Sequence, residues 1–206
     1  MLRNLSVILF VLSCCSLFVP GEMLAQERVS LFNGKDLTGW TGGNYHVNDG
    51  VMICKGGNLR TEKVYSNYVF EFEFLLPPAG NNGLGIHYPG KGTPSATGME
   101  LQILDTPHKK YKNIKDYQAH GSLYGFQPAK RGHLKPTGQW NKQKVTVQGI
   151  NVTVELNGVK ILEANLAENA KKNPKHQGIQ RRKGYICFAG HGDPVQFRNI
   201  FITELK

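Results

Sequence analysis

The segment Gly98-Met99-Glu100-Leu101-Gln102-Ile103-Leu104-Asp105 sets Glu100 and Gln102 in phase with each other and out of phase with Met99, Leu101 and Ile103. Side chains of an extended chain point alternately to opposite faces. A strand here therefore packs its apolar set into a core and presents a carboxylate and an amide together on the other surface. Such a pair can form the floor of a sugar site, with the carboxylate as a candidate general base. Segments carrying glycine and histidine lie on both sides of it in sequence: Asn81-Asn82-Gly83-Leu84-Gly85-Ile86-His87-Tyr88 before, and His120-Gly121-Ser122-Leu123-Tyr124-Gly125 after. Glycines at 83, 85, 121 and 125 suit close backbone approach to a ligand, although bulges and tight strand crossings call for glycine equally.

The elements that must position these residues read as strands. Short alternating runs recur with turn signals between them, and long segments of helical period are nearly absent, which makes the chain all-β. Asp49-Gly50 and Asn157-Gly158 each join two such runs as type I′ hairpins. The clearest strand spans Tyr68 to Leu76, with Phe70, Phe72 and Phe74 on one face and Glu71 and Glu73 on the other, before Pro77-Pro78 stops it. Further strands are expected at 83–88, 98–104, 122–126, 140–148, 185–189 and 195–205. In the last, Val195 and Phe197 are out of phase with Ile200 and Ile202, which calls for a β-bulge near Arg198-Asn199. The stretch 162–172 has room for one short helical turn. About ten strands, apolar on one face, fit two antiparallel sheets packed face to face. If the strands at 68–76, 83–88 and 98–104 share a sheet, their polar sides pool Glu71, Glu73, His87, Glu100 and Gln102. Trp40 and Trp140 fit the rim of the core better than a sugar-stacking surface, whereas Tyr124 suits either.

Residues 1–25 read as a secretory signal peptide. Arg3 supplies a positive charge, Leu5 to Val19 is an apolar run too short to span a bilayer, and Pro20-Gly21 breaks it. The competing reading is a lipid anchor, because Val11-Leu12-Ser13-Cys14 resembles a lipobox. Export to the periplasm, cell envelope or medium is expected for residues 26–206, which form one domain. Removal of the leader leaves Cys54 and Cys187 as the remaining thiols, either bridged or as two buried free cysteines. The net charge of +10 is concentrated partly in Lys171, Lys172, Lys175, Arg181, Arg182 and Lys183. These lie among Asn173-Pro174 and Gly178 with no nucleic-acid motif, so they read as a solvated loop and no nucleic-acid partner is expected. Nothing resembles a nucleophile elbow, a P-loop or a dinucleotide fingerprint.

With these residues placed, the mature chain resembles the 3-keto-disaccharide hydrolase domain family. The resemblance runs through Leu31-Phe32-Asn33-Gly34-Lys35-Asp36-Leu37-Thr38-Gly39-Trp40, Asn81 to Ile86, Met99 to Asp105 and Gly121 to Gly125. It continues through Gly138-Gln139-Trp140-Asn141, Asn157-Gly158, His191-Gly192 and Val195 to Ile200. The resemblance implies a concanavalin-like or jelly-roll sandwich with a concave ligand face, and cleavage of glycosides whose sugar is oxidised at carbon 3. In many relatives an Arg stands where this chain has His87.

A ketone at carbon 3 acidifies the proton on carbon 2. A base can then remove it, expel the group at carbon 1 and leave an enone for water to attack. That route needs a base, a partner for the enolate oxygen and an acid. Glu100 is the candidate base, His120 the acid or second base, and Gln102 the group orienting a sugar hydroxyl. The enolate partner is either Lys130 or Arg131, or a divalent ion held by Glu100, Asp105 or a histidine. The histidines at 87, 108, 120, 133, 176 and 191 show no H-x-x-x-H spacing. Paired-carboxylate hydrolysis by Glu100 with Glu71, Glu73 or Asp105 is the other enzymatic route. His191, beside glycine, is a candidate substrate contact or a turn residue. The non-enzymatic alternative is a carbohydrate-binding module, since a sheet face binds sugars without catalysis.

Overall fold

The computed structural model describes residues 26–206. The signal peptide and lipobox readings lie outside them. The strands are β1 (Arg28–Ser30), β2 (Trp40–Thr41), β3 (Tyr45–Asn48), β4 (Val51–Cys54), β5 (Gly57–Thr61), β6 (Tyr68–Leu75) and β7 (Asn81–Tyr88). A short helix α1 (Pro94–Thr97) precedes β8 (Met99–Leu104), β9 (Trp140–Gln148), β10 (Asn151–Leu156) and β11 (Val159–Asn165). Helix α2 (Leu166–Ala170), β12 (Tyr185–Gly190) and β13 (Gln196–Glu204) complete the chain. An eight-stranded sheet in the order β11-β10-β9-β6-β13-β4-β3, with β1 on β13, faces a five-stranded sheet in the order β2-β5-β12-β7-β8. No helix among the described residues is long and apolar enough to cross a membrane.

Alternation builds the core between the sheets. Phe70, Phe72 and Phe74 are fully buried on the inner face of β6, and Phe188 of the smaller sheet stacks on Phe197 of the larger at 3.9 Å between ring centres. Each buried phenylalanine contributes about 2 kcal/mol. Trp40 joins this core by stacking on Phe188, whereas Trp140 lies under the Arg198 guanidinium. Both hairpin turns carry positive φ at each central residue, 49° and 76° at Asp49-Gly50, 51° and 86° at Asn157-Gly158, as a type I′ turn requires. The bulge in β13 falls between Arg198 and Phe201, with Asn199 at φ 51°.

Two expectations fail here. The segment 122–126 makes isolated bridges from Leu123 to Leu101 and Gln127 in place of a strand. More consequentially, β6 belongs to the eight-stranded sheet and β7 and β8 to the other, so Glu71 and Glu73 do not share a face with Glu100. The break lies at Pro77-Pro78-Ala79-Gly80, where two residues without N–H groups end pairing and Ala79 turns at φ 58°. The Asp105 carboxylate pins this crossover by accepting from the Ala79 N–H at 2.9 Å and the Thr137 hydroxyl at 3.2 Å. Glu71 instead pairs with Arg28 and Lys142, and Glu73 with Arg198, on the outer face of the larger sheet.

Candidate functional site

On the face of the five-stranded sheet turned away from the core, the pairing register aligns Arg60, Cys187, Gly85 and Glu100 across β5, β12, β7 and β8. Gln102 lies opposite Gly83 in the next such position. The glycines provide room for the carboxylate. A Cβ added at Gly83 would lie 2.3 Å from Glu100 Oε1, so the Glu100 side chain leans over that residue. A Cβ at Gly85 would come within 2.9 Å of Pro94, at the start of α1. Gln102 is fixed by donating to Asn81 Oδ1 at 3.1 Å.

Glu100 is 6% exposed. Burial raises its carboxyl from 4.5 to about 7, while hydrogen bonds from Ser95, through its hydroxyl and its main chain, pull the other way. Helix α1, which carries Ser95, is strapped down by the 176–181 segment. His176 Nε2 donates to the Ser95 carbonyl at 2.7 Å and Arg181 Nε to the Thr97 carbonyl at 2.9 Å. The His176 Nδ1 accepts from the N–H groups of Gly178 and Ile179, which leaves the proton on Nε2 for that bond. The far edge of β8 is held by the turn at 121–124, where the Tyr124 N–H donates to the Glu100 carbonyl and the Gly121 N–H to the Gln102 carbonyl.

His120 does not join this face. Its ring stacks on Phe74 at 5.1 Å, its Nδ1 accepts from the Leu104 N–H at 3.3 Å, and its Nε2 bonds Gln143 Oε1 at 3.0 Å. Burial lowers its pKa from 6.5 to about 4, so the imidazole is neutral at physiological pH. It forms part of the wall of a cavity of about 450 Å³ lined also by Lys130, Arg131 and His133, and not by Glu100.

The remaining expected residues disperse. His87 lies in a bulge of β7 at φ 53°, where the register slips against β12 and the alternation that placed it beside Glu100 is interrupted. It is 1% exposed, and burial and then Arg182 push its pKa down to about 4. Asp105 has the structural task described above. His191 sits exposed in the turn after β12, and the Tyr124 hydroxyl accepts from Gln118 Nε2 at 3.3 Å. Cys54 faces the core from β4 and Cys187 the opposite side of β12, and both are free thiols. Among the described residues no three His, Cys, Asp or Glu side chains converge as metal ligands.

Sequence reasoning missed Ser95 and Arg60. Arg60 was detectable only by recognising 57–61 as a strand, and its alternation is masked by Gly57 and Asn58. Ser95 carries no signal, because its role depends on α1 folding back over β7.

This is a two-sheet sandwich with a buried carboxylate on the outer face of its smaller sheet, a fold shared with carbohydrate-binding proteins. A carbohydrate-binding module of Bacillus subtilis, CBM66, superposes with a TM-score of 0.54 over 81% of this chain and 96% of its own, at 11% identity. A candidate glycosyl hydrolase of Parabacteroides distasonis superposes with a TM-score of 0.78, at 27% identity, over 87% of this chain and all of its own (100%). The 3-keto-disaccharide hydrolase of Bacteroides thetaiotaomicron is 26% identical over 88% of this chain and 79% of its own length. The chain belongs to the 3-keto-alpha-glucoside-1,2-lyase-like domain family, which it matches over residues 27–203.

Proposed function

We propose that the protein cleaves glycosides oxidised at carbon 3 of the sugar, with Glu100 as the base that removes the proton from carbon 2. The observation that carries this reading is a carboxyl held at about 7, leaning across a glycine floor beside an amide, in a member of this family. A base is most effective when its pKa lies near the working pH, and a carboxylate at its ordinary 4.5 would be far weaker.

In this scheme the carbon 2 proton passes to Glu100 and its electron pair moves into the enolate of the carbon 3 ketone. The enolate then expels the carbon 1 oxygen with its aglycone, which takes a proton from solvent water, leaving an enone; water then adds its oxygen to carbon 1 and the proton held by Glu100 returns to carbon 2, completing net hydrolysis. Gln102 orients a sugar hydroxyl, and Arg60, three strands away in the same row with its guanidinium over the Tyr185 ring, adds positive charge to that face without touching the reacting atoms. His120, with both ring nitrogens engaged inside the sandwich and away from the Glu100 face, does not deliver the acid step. Export through the segment 1–25, with a lipid at Cys14 as the variant outcome, places the reaction in the periplasm, the cell envelope or the medium.

The test is to incubate the protein with a chromogenic 3-keto-glucoside and with the same glucoside unoxidised. Aglycone released from the oxidised compound alone supports the reading. Binding of either sugar without release makes the protein a carbohydrate-binding module, the function its fold also accommodates.

A further inference from the structure

We propose that the cavity beside His120 is a second ligand site, separate from the Glu100 face, that takes a sugar acid: a carbohydrate-sized molecule bearing one carboxylate. The cavity holds about 450 Å³, within the range of roughly 300–1,000 Å³ usual for small-molecule sites. Its lining includes Lys130, Arg131, His120 and His133 and contains no Asp or Glu. Among the described residues, the main-chain N–H groups of 131–134 have no protein partner, and Gly132 turns there at φ 89°. Cationic side chains on a cavity that has no carboxylate in its lining are the chemistry of anion recognition.

The rest of the lining narrows the class. Leu134 and Leu156 give an apolar wall that suits the C–H face of a pyranose and offers nothing to a bare inorganic ion. Arg131 already donates one terminal nitrogen to Asp116 at 2.9 Å, outside the cavity, so the rim presents little more than one uncompensated positive charge. That balance matches a carboxylate better than a phosphate dianion. His120 is held in the cavity wall by its bond to the buried Gln143 Oε1 at 3.0 Å, so the wall is a fixed surface for a ligand. Lys130 itself is anchored at its main chain by donating to the Ile161 carbonyl, leaving its side chain exposed at the mouth.

The experiment is calorimetric titration of the protein with D-glucuronate, D-glucose, acetate, sulfate and glucose 6-phosphate. The expected result is binding of glucuronate that weakens with added salt, with glucose about tenfold or more weaker because it lacks the charge-assisted bonds. The double variant Lys130→Ala/Arg131→Ala, altered only at exposed positions, loses glucuronate binding while melting like the wild type. Glu100→Gln binds glucuronate unchanged, which separates this site from the proposed catalytic face. Equal affinity for glucose, undiminished binding by the double variant, acetate or sulfate binding as tightly, or tighter binding of glucose 6-phosphate would each overturn the assignment.

Discussion

Replacing Gly83 by Ala tests whether the position of one carboxylate limits the reaction. The new Cβ would lie 2.3 Å from Glu100 Oε1 and 2.6 Å from its carboxyl carbon. Ordinary contact is about 3.5 Å, so the carboxylate must retreat by about 1 Å. The atoms that must give way, Oε1, the carboxyl carbon and Cγ at 2.8 Å, all belong to the Glu100 side chain, which can swing as a whole, and φ at Gly83 lies outside the left-handed region, so the backbone accepts alanine. The gain from a stiffer unfolded chain roughly offsets the crowding, and the net change in stability is within about 1 kcal/mol. Catalysis is less forgiving. A misplacement of about 1 Å costs about a hundredfold in rate, or about 2.7 kcal/mol of barrier. The assay is aglycone release from a 3-keto-glucoside, alongside a melt followed by circular dichroism. Turnover within about threefold of wild type in a variant that melts normally would show that the barrier is insensitive to where the carboxylate sits, and Glu100 would not be the base.

Other outcomes follow from the same geometry. Because burial holds Glu100 at about 7 in the fold against 4.5 in the unfolded chain, its contribution to stability is present below 4.5 and lost by about 3 kcal/mol as pH rises to 7. Comparing Glu100→Gln with wild type in melts across that interval checks this, and the activity of the wild type should climb through pH 7 and then level. His87 and His120, held down from 6.5 to about 4 by burial, act in the opposite sense, so stability falls as pH drops from 6.5 towards 4. Asp105→Ala should cost about 3 kcal/mol in urea unfolding, since it removes two bonds to a carboxylate and strands the Ala79 N–H at the crossover. Cys54 and Cys187 are fully buried, and burial raises the Cys187 thiol well above its ordinary range. Mass spectrometry after thiol-reagent treatment should find both unmodified until denaturant is added.

Local pattern made much of this fold legible. The alternation in β6 and β8, the two Asx-Gly hairpins and the phase slip answered by the Asn199 bulge all depend on neighbours in sequence. The pairing of Glu100 with Gln102 on one face was read the same way. What stayed hidden was non-local. Alternation says that Glu71 and Glu100 both point away from apolar neighbours, but not that a double proline sends their strands to different sheets. His87 was misplaced because its bulge rests on contact with β12, about a hundred residues later in the chain, and bulges of this kind carry no fixed sequence mark. His120 looked like a partner for Glu100 because it lies close in sequence, yet its ring turns inward to Gln143 and Phe74.

The role of Glu100 as the base is tested most sharply by the turnover of a 3-keto-glucoside by Glu100→Gln, which keeps the side chain's shape and removes its basicity. Release of the aglycone is expected to drop by about a thousandfold while the melting profile at acidic pH is preserved. Release at the wild-type rate from the folded variant would contradict that role.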